Sequence, residues 1–243
     1  MNNLMTVSRT SSLPHSEVVP VAALSARERE QMFLLLTDYF EGVTRERFES
    51  DLAEKDSAVL LRDEAGTIKG FTTIMRLRAV VDHEPVVAFF SGDTIVARDC
   101  WGESELPRLW SRHVFAWRAQ MPERRVYWFL ISSGYKTYRF LSVFFREFYP
   151  TFRSPTSTFE QRALDALSRQ KFADEYAQGV VRFAQPTPLR AGVAAVTAER
   201  LRDPHVAFYT RANPGHADGD ELACLCPLEH SNLTPAGRRM VGV

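Results

Sequence analysis

Apolar positions in this chain switch between strand alternation and helical spacing, and each switch marks an element boundary. Glu17–Leu24 is a short β-like run, and its Pro20 suits an edge strand. Ser25 and Glu28 then form a capping-box pair. Behind them Met32, Leu35, Leu36 and Tyr39 recur at helical spacing, and Gly42 ends the helix begun there. Thr44 caps a second helix, with Phe48 and Leu52 on one face. Ser57–Leu61, Ile68–Val81 and Val86–Val96 read as strands of an antiparallel meander. The turns between them are Asp63–Gly66 and Asp82–Pro85.

The meander runs into the loop Arg98-Asp99-Cys100-Trp101-Gly102-Glu103-Ser104 and then into an amphipathic helix. Ser104 is a candidate N-cap and Pro107 falls in the first turn. Leu106, Trp110, His113 and Trp117 share one face of that helix. A strand-loop-helix junction aims backbone N–H groups at one spot, at the positive end of a helix dipole, so the loop is a candidate phosphate site. Val126–Ile131 is an unbroken apolar run, which predicts a strand buried on both faces. Lys136–Phe148 reads as a helix rich in phenylalanine.

Past Pro150 the pattern loosens. Ser157 and Glu160 start a helix that runs towards Gln178, and Gly179–Ala184 is a short strand. Thr197–Ala207 has helical character, Leu222–Leu228 reads as a final strand, and the tail after His230 reads as mobile. The expected division is a disordered tail at 1–16, a core at 17–150 and an extension at 151–243 that completes the sheet and shapes the acceptor side.

Composition narrows the class. At 45% apolar and 25% charged residues the chain is that of a globular domain, and its zero net charge gives no general case for nucleic acid. The charge is unevenly placed, however. Residues 1–57 hold six Lys/Arg against ten Asp/Glu, and residues 98–153 hold ten against five. The basic excess surrounds the candidate phosphate loop and suits an acidic ligand or partner. Three cysteines form no disulfide framework and fit a reducing compartment. The N-terminal residues are polar, no run has the length of a membrane span, and a cytoplasmic protein is expected.

The order β-α-α-β-β-β-α-β-α over residues 17–150 resembles the GNAT-like N-acyltransferase superfamily. The resemblance implies an α+β fold, with a central mixed, mostly antiparallel sheet flanked by helices and a C-terminal α/β extension. It also implies that the fourth strand splays from the fifth, with the pantetheine arm of coenzyme A or an acyl-CoA in the gap. The donor's pyrophosphate would sit on the loop after strand four, whose family pattern is Arg/Gln-x-x-Gly-x-Gly/Ala. Here Asp99 takes the Arg/Gln place, Gly102 the first glycine place and Ser104 the last small place. Arg98, Trp101, Gly102, Glu103 and Ser104 are therefore the candidate donor-binding residues. Because Asp99 repels phosphate, the phosphopantetheine of an acyl-carrier protein is the other donor the loop allows, and the basic surface suits such an acidic carrier.

The implied reaction is acyl transfer to the amine of a small-molecule acceptor. The family often uses a late-helix tyrosine as general acid. Phe145 stands in that place here, which leaves Tyr138, Tyr135, Ser132 and Ser133 as candidates. Asp93, the one carboxylate inside an uncharged strand, is the candidate base, with His83 in the preceding turn as another. The catalytic set is thus Asp93, Ser132 and Tyr138. Asp93 could instead face solvent after a Ser-Gly bulge, and Gly102 and Ser104 could simply build a turn and a cap. A Cys100–His113 nucleophile lacks an orienting partner. Zinc on Cys224, Cys226 and His216 or His230 lacks a second cysteine pair, so no metal is expected. The rival reading is a non-catalytic GNAT-like module that binds a ligand or a protein.

Overall fold

The N-terminal half assembles around its helix caps. In the computed structural model, which describes residues 15–122 and 124–243, Ser25 and Glu28 close the capping box that starts α1 (Ala26–Thr37). Thr44 accepts from the Arg47 N–H and starts α2 (Arg45–Ala53). Before them lies β1 (His15–Pro20), and after them β2 (Ser57–Arg62), β3 (Ile68–Val81) and β4 (Glu84–Val96). The chain continues through α3 (Glu105–Ala119), β5 (Arg125–Ser132), α4 (Tyr135–Phe144) and α5 (Thr158–Phe172). It closes with the short strands β6 (Tyr176–Ala177) and β7 (Val180–Val181), then α6 (Pro204–Ala212), β8 (Glu221–Pro227) and α7 (Pro235–Val241).

Among the described residues eight strands form one sheet, in the order β1-β2-β3-β4-β5-β8-β7-β6. Only β4 and β5 pair in parallel, because the α3 crossover between them returns the chain to the same edge. The result is an α+β fold with a central mixed, mostly antiparallel sheet, as the GNAT-like element order implies. Helices α3, α4, α6 and α7 cover one face, over Val87, Phe89, Trp128 and Leu130. Helices α1, α2 and α5 cover the other, over Ala58, Phe71, Phe90 and Phe129.

Several boundaries depart from the sequence reading. The first strand ends at Pro20, and Val21–Ala23 makes a 3-10 turn that aims the chain at the Ser25 cap. Of the expected tail, 1–14 lie outside the described residues. His15 and Ser16, by contrast, pair with Arg62 and Leu61. The helix expected to reach Gln178 stops at Phe172, because Ala173 turns to φ 41. The strand expected over Gly179–Ala184 is instead a hairpin, turned by Gln178 and Gly179 at positive φ. The helix expected from Thr197 begins only at Pro204, where Asp203 caps it.

The segment after His230 was expected to be mobile, yet it is packed. Thr234 caps α7, Leu233 is buried, and a Cβ at Gly237 would collide with the Phe144 carbonyl. A seven-residue helix carries too little periodicity to announce itself.

Candidate functional site

The site begins where β4 and β5 part. They pair from Val86–Arg125 to Ser91–Leu130 and no further. Beyond that point β5 stays with β8, through Ile131–Ala223 and Ser132–Leu222. β4 stays with β3 instead, across a bulge. Ile74 pairs with Ser91 and Thr72 with Thr94, so two steps on β3 match three on β4. The extra residue resets the alternation. Phe90 and Ile95, five apart, consequently pack on the same face, the one under α1, α2 and α5. Asp93 turns to that face too.

A cavity of about 840 Å³ opens in the resulting gap and crosses the sheet. On the α3–α4 side it is lined by Leu106, Trp110, Trp128 and Phe140. Trp128 donates its indole N–H to Ser91 Oγ at 2.9 Å, whereas that of Trp110 is buried without a partner among the described residues. On the opposite side the lining is charged and aromatic, with Arg47, Asp51, Asp93, Lys171 and Glu221 beside Phe90, Phe172 and Phe183. Ser133 and Gly134 line the cavity where β5 ends.

The charged side is organised around two buried lysines. Lys55 Nζ, fully buried, lies 2.6 Å from Asp51 Oδ2, and Lys171 Nζ lies 2.6 Å from Glu54 and 3.4 Å from Asp51. Burial by itself would raise the Asp51 carboxyl, but Lys55 and Lys171 outweigh it and hold Asp51 below the usual range. Burial would likewise lower Lys171, and Asp51 and Glu54 reverse that.

Asp93 and Glu221 have no such lysine pairing. Burial first, and then the Asp51 charge, push Asp93 up to about 6 against the pull of Lys55, Arg47 and Lys171. Burial pushes Glu221 up to about 7, and the charges of Asp93 and Asp51 add to the rise. A Ser133 hydrogen bond and Arg47 act the other way. Both side chains are half-buried and line the cavity. Two carboxyls that titrate near neutrality in one cleft are candidates for proton transfer.

The sequence candidates divide. Asp93 is in the cavity wall, with Trp101 and Glu103 further along it. Arg98, Gly102 and Ser104 stand in the adjoining loop outside the lining. Gly102 adopts φ 102, and Ser104, expected to cap α3, makes no side-chain capping bond. Asp99 is ion-paired to Lys69 at 2.6 Å, which offsets its charge beside any phosphate. Lys136, from α4, stands over the Trp101 ring at 4.1 Å and brings positive charge to the same rim.

Ser132 and Tyr138 require correction as catalytic residues. Ser132 is fully buried and donates to the Gly134 carbonyl at 2.9 Å, so it ties the end of β5 to α4. Tyr138 is fully buried and donates to the Pro150 carbonyl at 2.9 Å, and burial drives its hydroxyl far above the usual range. Neither lines the cavity. Nor does His83, which stays in the β3–β4 turn at positive φ.

Cys100 is half-buried, and its thiol is raised by burial and by Asp99, the opposite of an activated nucleophile. Cys224 and Cys226 are packed in the core of the sheet. Among the described residues no group of three or more His, Cys, Asp or Glu side chains could hold a metal ion. Arg47, Asp51, Lys55, Lys171 and Glu221 escaped the sequence reading. They lie on α2 and just past its end, on α5 and at the start of β8, and only the tertiary fold brings them to Asp93.

No family model matches this sequence, and no curated protein does. Among solved structures the chain is similar to a probable N-acyltransferase of Enterococcus faecalis, at 16% identity and a TM-score of 0.41. That likeness covers 55% of this chain and 33% of the other, so the chain spans about a third of its length. It is also similar to the Escherichia coli GNAT family N-acetyltransferase YhbS in complex with CoA, at 13% identity and a TM-score of 0.40, over 54% and 70% of the two chains. Escherichia coli ElaA is similar at 15% identity and a TM-score of 0.37, over 57% and 89%.

Proposed function

We propose that the protein moves an acyl group from a pantetheine thioester to an amine. The observation that carries this reading is the cavity that crosses the sheet where β4 leaves β5, with an apolar arm on one face and proton-accepting carboxyls on the other. A donor and an acceptor can then meet from opposite faces at one carbonyl carbon.

A pantetheine arm fits the apolar side. Past Ser91, β4 has no strand partner towards β5, so its backbone is available to a thioester and its amides. The unpartnered Trp110 N–H supplies a further donor. Lys136 and the loop around Gly102 form the outer rim, where a phosphate would sit. Asp99, held by Lys69, adds no attraction there, which suits the single phosphate of a carrier-borne phosphopantetheine as well as coenzyme A.

On the charged side, Asp93 with Glu221 takes a proton from the acceptor ammonium. The freed amine forms the C–N bond, the C–S bond breaks, and the second amine proton returns through the same carboxyls to the leaving thiolate. A small-molecule amine is the acceptor, and an acidic carrier protein is a candidate partner for the basic surface. The three cysteines are free, which fits a reducing compartment such as the cytoplasm. No helix of the described residues is long and apolar enough to cross a membrane.

The rival reading is a non-catalytic GNAT-like binding module. Its support is that neither tyrosine of α4 lines the cavity: Tyr138 is sealed against the Pro150 carbonyl, and Tyr135 is buried in the core.

A calorimetric titration with coenzyme A, acetyl-coenzyme A and a long-chain acyl-coenzyme A tests donor binding. Thiol release in the presence of mixed amines tests transfer. The expected result is saturable binding and thiol release that Asp93→Asn abolishes. Binding without thiol release from any donor, carrier-borne acyl groups included, would leave the binding module.

A further inference from the structure

The ionic groups of the cavity pair off unevenly, and the remainder describes the acceptor. Asp51 and Glu54 are neutralised by Lys55 and Lys171. What is left on that face is one guanidinium, Arg47, with the carboxyls Asp93, Glu221 and Glu175, the last accepting from the Ala184 N–H.

Arg47 projects from α2 and is half-buried. It stacks on Phe183, with Cζ 4.7 Å from the ring centroid, and donates through Nη1 to the Gln185 carbonyl. It makes no ion pair among the described residues. Its neighbour Arg45 pairs with both Glu30 and Glu49, and Arg29 also pairs with Glu49. Arg47 is therefore held in place by a ring and one carbonyl, with the rest of its planar fork of donors uncommitted. Such a fork matches a carboxylate in two parallel hydrogen bonds.

The second cavity-lining cation without an ion pair is Lys136, and it sits at the other mouth, over Trp101. One free cation at each end of a channel through the sheet calls for one anionic group at each end. At the Lys136 end that group is the donor's phosphate. At the Arg47 end it belongs to the acceptor.

We infer that the acceptor is an α-amino acid. Its carboxylate is clamped by Arg47, its amino group faces Asp93 and Glu221, and its side chain lies against Phe90, Phe172 and Phe183. The aromatic wall selects an apolar side chain over a charged one. A diamine suits the site less, because it would leave the Arg47 fork without an anionic partner. This inference rests on the acyl-transfer reading for its chemistry but not for its binding, and the test separates the two.

Calorimetry on the purified protein compares phenylalanine and leucine with phenethylamine and isoamylamine, which lack only the carboxylate, and with putrescine. The amino acids should bind about tenfold to a hundredfold more tightly than the matched amines. Arg47→Gln should bring amino-acid affinity down to the level of the amines, and Arg47→Lys should restore part of it. A thermal melt of each variant checks that it is folded. Equal binding of amine and amino acid, preference for putrescine, no binding of any of them, or discrimination that survives Arg47→Gln would overturn the inference. Thiol release with amines but not amino acids would sink it and leave acyl transfer standing. Arg47-dependent amino-acid binding with no thiol release from any donor would do the reverse.

Discussion

Asp93→Asn should make the protein more stable, by an amount that grows with pH. The ordinary carboxyl value is 3.8, and the cavity pushes Asp93 up to about 6. At about 1.36 kcal/mol per tenfold change in proton affinity, that gap corresponds to about 3 kcal/mol. The direction follows from proton counting. Between 3.8 and about 6 the unfolded chain has released the Asp93 proton while the folded chain keeps it, so rising pH favours unfolding across that window. Above it the cost is constant, and below it the cost vanishes.

Asparagine matches the shape and has no proton to lose. The variant should equal the wild type near pH 4 and exceed it by up to about 3 kcal/mol near pH 8, on the order of 6–12 °C in melting temperature for a chain of this size. The gain includes a share from Glu221, which loses a neighbouring charge. Urea unfolding of both proteins at the two pH values measures it. A variant less stable than the wild type near pH 8, or an offset independent of pH, would refute the account of a carboxyl held charged against its surroundings.

Two further outcomes are expected. Gly102→Val strains a backbone at φ 102 by about 1–3 kcal/mol. Its Cβ meets nothing within 4 Å, so a calorimetric titration should show weaker donor binding with the rest of the fold intact by circular dichroism. Lys55→Met removes the nearest partner of Asp51 and should cost about 3–5 kcal/mol near neutral pH in urea unfolding. Because Asp51 is held below its usual range, that loss should shrink as pH falls through its titration; a loss that persists in acid would point to packing instead.

The fold was largely legible because local signals and tertiary outcome agree. The capping box at Ser25, the Ser157 cap, the turns at Asp63 and Asp82, and the unbroken Val126–Ile131 run each specify an element without reference to the others. Where an element is short, as in β6, β7 and α7, a few residues cannot display a period, and contacts made elsewhere in the chain decide it. The site was less legible for a related reason. Asp93 drew attention because a carboxylate is out of place in an apolar strand. Glu221 sits beside Asp220 at a strand start and looks like any solvated pair, and Arg47 and Lys171 look like ordinary charged faces of amphipathic helices. Tyr138 and Ser132 showed the converse error: each looked available from its place in the sequence, but both are fully buried and donate to the Pro150 and Gly134 carbonyls.

The bulge at Gly92 and Asp93 explains why the site sits where it does. Without the extra residue, strand alternation would keep odd-numbered positions with Val87 and Phe89, and the Asp93 carboxylate would face the tryptophan-lined side, away from every lysine that tempers it. Gly92 is bound to the same geometry. A Cβ there would lie 2.5 Å from Thr73 Oγ1 and 2.8 Å from Lys55 Cε, so a side chain would displace the lysine that holds Asp51. The bulge thus turns one carboxylate into the cavity, admits the buried lysine beside it, and lies at the point where β4 leaves β5. Each of these costs stability that an unbroken apolar strand would retain. An open seam, two half-neutralised carboxyls and a guanidinium without an ion pair among the described residues, gathered on the same few residues, are what the proposed ligand site requires.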